Sequence, residues 1–296
     1  MSPRHNEIHL SSELLGTSGE PLLLIAGLAA DKGFWHDGFC AGLVRAGFHV
    51  ARFDNRDCGG STHCDGVAAP SRRAARRDPR LAPYRLEDMA ADTAALLDRL
   101  GWACVHVVGH SMGAMIAQRL AVAHPARVRS LTCIASTTSA DVGRLRPSTM
   151  LRLARATPGL LSRKPPGNAA EAGDWLVRQS GIIGSPGYPP DEDWLRRRGE
   201  TMYAHGGFDL DARARQAAAM MAAADCRPGL AQLRVPAVVV HGADDPLIRP
   251  SGGRAVAAAI PGAELVLLPG MAHDLPEPLW PRIIEEITAV AARGGG

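Results

Sequence analysis

Apolar residues in this chain fall into short runs, separated by longer stretches in which they recur every three or four positions. The segments 21–26 (PLLLIA), 48–53 (FHVARF), 104–108 (CVHVV), 128–134 (VRSLTCI), 236–241 (PAVVVH) and 263–268 (AELVLL) have the length and character of buried strands. Between the second and third, Leu86, Met89, Ala90, Thr93, Leu96, Leu97 and Leu100 share one helical face, and Gly101 stops the pattern. Helices are also predicted at 112–124, ended by Pro125, at 250–259 and from about 276 to 292. Strands alternating with amphipathic helices predict βαβ units, hence a mostly parallel sheet with helices on both faces.

The alternation lapses after position 136. Residues 141–232 hold Pro147, Pro158, Pro165, Pro166, Pro186, Pro189 and Pro190, many arginines and no strand-like run. Helices are predicted there at 146–156, 171–180, 191–204 and 209–224. The simplest organisation is an α/β core, 1–140 with 233–296, interrupted by a helical cap over 141–232.

Composition narrows the class. Hydrophobic residues make up 46% and charged residues 21% of 296, which excludes disordered and fibrous chains. The net charge of +3 is small for this length and argues neither for nor against a nucleic-acid partner. Arginines gather at 72–80 and 196–198, but no aromatics interleave with them as a stacking platform requires, so they read as solvated faces. The six cysteines show no CxxC spacing, which suits a reducing compartment. The first eleven residues carry no signal-peptide core, and no apolar run is long enough to span a bilayer. A cytoplasmic protein with no membrane partner is the expectation; oligomeric state is not legible.

The sharpest chemical signal is Gly109-His110-Ser111-Met112-Gly113, placed between a predicted strand and a predicted helix. A strand that must become a helix within so few residues strains its central residue and projects that side chain from the sheet edge. Glycines on either side remove the Cβ atoms that would clash. Ser111 is therefore the candidate nucleophile. A serine hydroxyl needs a base, and His273, in the loop after the last strand, is placed to reach the same sheet edge. His241 ends a strand and is a weaker rival; His106 reads as packed, and His110 points away from the site. The base in turn needs a carboxylate to hold its tautomer. Asp244 and Asp245 compete in the loop after 236–241, and Asp245 is preferred because Pro246 stiffens the chain behind it. The order Ser, Asp, His is the one this kind of sheet uses. Backbone N–H groups of Met112 and Leu28 are the candidate oxyanion hole. Within the cap, Trp175, Trp194 and Met150 are candidate pocket residues. The cluster Asp54, Asn55, Arg56 and Asp57 reads as a hydrogen-bonded loop rather than as chemistry.

At these residues the chain resembles the α/β-hydrolase family over nearly its whole length. The resemblance rests on LLLIAGL (22–28), FDNRDCGGST (53–62), YRLEDMAADTAALLDRLG (84–101), VVGHSMGAMIAQ (107–118), VVVHGADDPL (238–247) and LLPGMAHDLP (267–276). It is most similar to the bacterial group that includes aclacinomycin methylesterase. The resemblance implies Ser111, Asp245 and His273 as the triad and Leu28 as an oxyanion donor. Ala26 stands where many members have histidine, and the insert shows little that matches.

The function expected is a serine hydrolase cleaving a carboxylic ester of a small molecule, such as the methyl ester of a secondary metabolite. The same triad also serves lactones, thioesters, carbon–carbon bonds or perhydrolysis, and a non-catalytic ligand-binding protein is the third reading. No cofactor is expected: there is no HExxH, no clustered Cys/His set for a metal and no phosphate-cradling glycine loop.

Overall fold

In the computed structural model, which describes residues 8–143 and 165–294, seven strands form one sheet. They are β1 (Ser12–Leu15), β2 (Glu20–Ile25), β3 (Phe48–Phe53), β4 (Val105–His110), β5 (Val128–Ile134), β6 (Ala237–Gly242) and β7 (Glu264–Leu268). Their order across the sheet is β1-β3-β2-β4-β5-β6-β7. β1 is antiparallel to β3, and every other pairing is parallel. The six strands expected from sequence are present within two residues of their predicted bounds. β1 was not expected. Its four residues, SELL, alternate between exposed and half-buried on an edge, too short a run for periodicity to register.

The described helices are α1 (Asp37–Arg45), α2 (Arg72–Arg77), α3 (Leu86–Arg99), α4 (Met112–Ala123), α5 (Ala169–Ile183), α6 (Glu192–Ala204), α7 (Leu210–Ala222), α8 (Arg227–Leu230), α9 (Pro250–Ala259) and α10 (Trp280–Arg293). Successive side chains of each central strand face opposite ways, so the sheet buries both faces. Leu23, Val107, Leu131 and Val239 pack with Leu97 of α3, Met115 and Leu120 of α4 and Val256 of α9. Leu22, Leu24, Val108 and Val240 pack with Phe39 and Leu43 of α1 and Ile283 and Ile287 of α10. Each such leucine or isoleucine contributes about 1.5–3 kcal/mol by leaving water. Helix α1 escapes a periodicity reading because its sequence carries two glycines. One of them lets α10 pack close, since a Cβ on Gly42 would lie 2.5 Å from Ile284 Cδ1 and would push that side chain aside.

Among the described residues 165–232 holds helices and no strand. α5, α6 and α7 lie where 171–180, 191–204 and 209–224 were expected; the helix expected at 146–156 falls outside the described residues. Helices α5 and α6 cross closely, because Gly199 of α6 sits over the Ala172–Gly173 backbone of α5. The arginines of 72–77 form the exposed face of α2, whose buried residue is Ala75.

Candidate active site

Strand β4 ends at His110 and α4 begins at Met112, which leaves Ser111 alone to turn the chain, at φ 54° and ψ −119°. A non-glycine residue in so sparse a region costs about 1–3 kcal/mol and persists only where its surroundings impose it. Here the Ser111 N–H donates to Ile134 O at 2.9 Å, and Ser136 Oγ donates to Ser111 O at 2.8 Å. The flanking glycines have steric reasons. A Cβ on Gly109 would stand 2.5 Å from Ala114 Cα, and one on Gly113 would collide with the Ile25 carbonyl of β2.

The loops after β6 and β7 reach the same edge. His273 Nε2 lies 3.0 Å from Ser111 Oγ, and His273 Nδ1 lies 2.7 Å from Asp245 Oδ2. An Nδ1–H donated to the carboxylate leaves the Nε2 lone pair facing the serine. All three residues are buried: Ser111 is 7%, Asp245 4% and His273 5% exposed. Asp245 Oδ1 also accepts the Leu247 and Ile248 N–H groups, each at 2.8 Å. Burial pushes the Asp245 carboxyl up, but His273 and these donors outweigh it and hold the group below the usual carboxylate range. Asp244 points elsewhere: it accepts the Gly270 N–H at 2.9 Å and so ties down the loop that carries His273.

The other histidines occupy distinct places. His241 donates to Ile248 O at 2.8 Å and stands 3.5 Å from Asp245. His106 lies between Ser130 and Glu20, as a packed residue should. His110, expected to point away, donates through Nε2 to the backbone carbonyl of His273 at 2.8 Å. Asp274 reaches back not to its neighbouring imidazole but to the Ser185 hydroxyl, which donates to it.

The turn after β2 runs against the serine. A Cβ on Gly27 would be 3.2 Å from Ser111 Cβ, so the Gly27–Leu28 peptide and the start of α4 at Met112 flank Ser111. The polar loop 54–57 fastens this region. Asp54 accepts Lys32 N at 2.6 Å, Asn55 Nδ2 donates to Ala26 O at 3.1 Å, and Arg56 pairs with Asp92 of α3 at 2.5 Å.

Sequence reasoning missed how far the insert enters the site. Arg215 of α7, 2% exposed, donates to both oxygens of Asp57 at 2.7 and 2.9 Å. Gln216, fully buried, accepts the Ala29 N–H at 2.8 Å and donates to Arg56 O at 2.7 Å. A signal existed: Ala212, Arg215, Gln216 and Ala219 have the spacing of a buried helix face. Two long polar residues on such a face need polar partners beneath them. At the end of α5 Ile183 O accepts the His273 N–H at 3.0 Å, and just beyond it Ser185 Oγ accepts the Ala272 N–H at 2.8 Å and the Gly187 N–H donates to Gly270 O at 3.0 Å.

Of the candidate pocket residues, half-buried Trp175 meets Phe208 edge-on at 5.4 Å, with the Arg213 guanidinium 5.9 Å from its ring centre. Trp194 rests on His36 at 4.9 Å, and His36 rests on Trp280 at 4.8 Å. Met150 lies outside the described residues. A cleft of about 990 Å³ opens among Cys104, Val122, Val128, Leu233 and Arg293 at the N-terminal ends of β4 and β5, the end of the sheet opposite Ser111. Among the described residues, His63, Asp65 and Asp209 form the group compact enough to share a cation, with ligand atoms within 4.8 Å. No described helix is long and apolar enough to cross a membrane.

The model of the alpha/beta hydrolase fold family matches residues 20–277. Rhodomycin D methylesterase DnrP of Streptomyces peucetius is 31% identical over 292 residues, covering 92% of this chain and 91% of the relative. BpoC of Mycobacterium tuberculosis, which bears a non-heme bromoperoxidase name, is 27% identical over 90% of this chain and 91% of its own. Its crystal structure aligns with a TM-score of 0.70 at 26% identity, over 97% of each chain. Esterase RhEst1 of a Rhodococcus species aligns with a TM-score of 0.73 at 21% identity, over 98% of this chain and 97% of its own, which speaks to fold alone. A parallel sheet with its helices on both faces, a strained elbow serine and these matches together place the chain in the α/β-hydrolase fold family.

Proposed function

We propose that the protein is a serine esterase that cleaves a small-molecule carboxylic ester through an acyl-enzyme on Ser111. The observation that carries this reading is the hydrogen-bonded row Ser111–His273–Asp245, closed at 3.0 and 2.7 Å. As Ser111 Oγ attacks the ester carbonyl carbon, His273 Nε2 takes its proton, and Asp245 stabilises the imidazolium. The carbonyl oxygen becomes an oxyanion that accepts the Leu28 and Met112 N–H groups, the latter aided by the positive end of the α4 dipole. Collapse of the tetrahedral intermediate expels the alcohol, which receives the proton from His273. Water then enters, His273 takes its proton as the hydroxide attacks the acyl carbon, and collapse of the second tetrahedral intermediate releases the acid while His273 returns the proton to Ser111 Oγ.

The methylesterase relatives, 31% identical over 92% of the chain, favour a methyl ester of a secondary metabolite as the substrate. In this reading 141–232 is a cap that sets substrate choice, with Trp175 part of its apolar lining. BpoC, at 27% identity, makes perhydrolysis by the same triad the second reading.

Hydrolysis of a p-nitrophenyl ester, blocked by a serine-directed fluorophosphonate, is the direct test. Ser111→Ala is expected to reduce kcat by about 10³-fold or more while leaving the circular dichroism spectrum unchanged. Wild-type kcat in a folded Ser111→Ala protein refutes the reading.

A further inference from the structure

The turn 27–30 carries the proposed oxyanion donor of Leu28, and its backbone is unusual. The Ala30 N–H donates to Gly27 O at 3.3 Å, and Ala29, third in the turn, has φ 54°. A tight turn with positive φ at its third position holds its central peptide, Leu28–Ala29, flipped relative to the commoner turn, and normally uses glycine there. Alanine gains nothing locally from this conformation, so something outside the turn must hold it.

That contact comes from the insert. Gln216 Oε1 accepts the Ala29 N–H at 2.8 Å, and its Nε2 donates to Arg56 O at 2.7 Å. One partner is a donor and the other an acceptor, so the amide has a single satisfying orientation. Its neighbour Arg215 seats the same helix turn on Asp57 through two buried hydrogen bonds. Ala26, immediately before the turn, has no polar side chain to do this work from the core side.

We propose that Gln216 is a positioning residue for ester hydrolysis: by locking the Leu28–Ala29 peptide it aims the Leu28 N–H at the oxyanion, so that the insert helix α7 completes the oxyanion hole. This rests on the serine-esterase reading above. Gln216 touches neither substrate nor the reacting atoms. Without its acceptor, Ala29 relaxes to negative φ by rotating the peptide next to the one whose N–H must be aimed. The ester still binds, but its transition state loses a donor.

The test uses the full chain and Gln216→Met, which keeps the volume and removes both hydrogen bonds. Expected is a fall in kcat of at least about tenfold with KM within about threefold, the split of a group that acts on the transition state. The inhibition constant of a trifluoromethyl ketone, whose adduct carries the oxyanion, should rise by the same factor as kcat/KM falls. Gln216→Glu, which keeps an acceptor for the Ala29 N–H, should fall between wild type and Gln216→Met. A folded Gln216→Met with kcat within threefold of wild type overturns the proposal, as does a lower kcat with an unchanged ketone constant. Hydrogen exchange of the Ala29 amide in the wild-type protein provides a check free of folding defects: slow, core-like exchange is expected, and exchange at open-loop rates overturns it. Absence of any Ser111-dependent hydrolysis in the wild type instead sinks the serine-esterase reading itself.

Discussion

His110 and His273 meet through main chain as well as ring: His110 Nε2 donates to the His273 carbonyl at 2.8 Å, and the two imidazole centres lie 5.0 Å apart. The residue before the proposed nucleophile thus supports the backbone of the proposed base. His110 remains neutral in this role. Burial, then the nearby His273, pushes its pKa down to about 3.

That depression has a consequence for stability. An unfolded histidine titrates at about 6.5, so between that value and about 3 the unfolded chain holds a proton that folded His110 does not. The contribution is complete above pH 6.5 and is lost as the pH falls toward 3, amounting to about 2 kcal/mol by pH 5. Buried His241 is shifted the same way, while Asp274, raised by burial, acts in the opposite sense. Urea midpoints at pH 7 and pH 5 should differ less in His110→Gln than in wild type. Equal differences in the two proteins would show that His110 does not carry this linkage.

The neighbouring aspartates should separate cleanly. Asp245 faces His273 at 2.7 Å, whereas exposed Asp244 accepts the Gly270 N–H. Asp245→Asn is expected to lower kcat by about 10³–10⁴-fold, because the amide favours the wrong imidazole tautomer. Asp244→Asn should stay within about threefold, near the range of surface substitutions. Steady-state kinetics on a p-nitrophenyl ester decide it, and a larger loss at Asp244 reverses the assignment.

Arg215→Met should destabilise the fold. It leaves Asp57 buried with its Tyr84 and Cys64 donors but without its cation. Breaking one side of such a pair costs about 3–5 kcal/mol. A shift of the denaturant midpoint worth less than about 1 kcal/mol would mean that solvent reaches Asp57 in the native state.

Ser185→Ala removes one hydroxyl that serves two groups, the buried Ala272 N–H and the half-buried Asp274 carboxyl. A loss of about 1–3 kcal/mol of stability is expected, with a lower kcat because the His273 loop is held by the same turn. Ser185→Thr, which keeps the hydroxyl, should recover both. Recovery of stability without recovery of kcat would separate the anchor from the geometry of the base.

The sequence by itself determined the α/β sheet, because buried parallel strands must be continuous apolar runs and their crossovers must be amphipathic helices. The elbow was legible for a similar reason. Gly109 and Gly113 are dictated by contacts with Ala114 and Ile25, so chemistry and sterics coincide in one pentapeptide. The sequence preferred Asp245 to Asp244 as the partner of His273, but only the tertiary structure showed why the two part: adjacent residues in a loop diverge according to which backbone donors they find. It alone revealed β1, whose ordering comes from its partner strand β3. It also showed Arg215, Gln216 and Ser185 of the insert engaged with loops more than 80 residues away in the chain. The spacing of Ala212, Arg215, Gln216 and Ala219 marks a buried helix face, but nothing local says which groups that face meets. A buried glutamine takes its meaning from the backbone groups that fold against it, and these come from parts of the chain with no sequence relation to it.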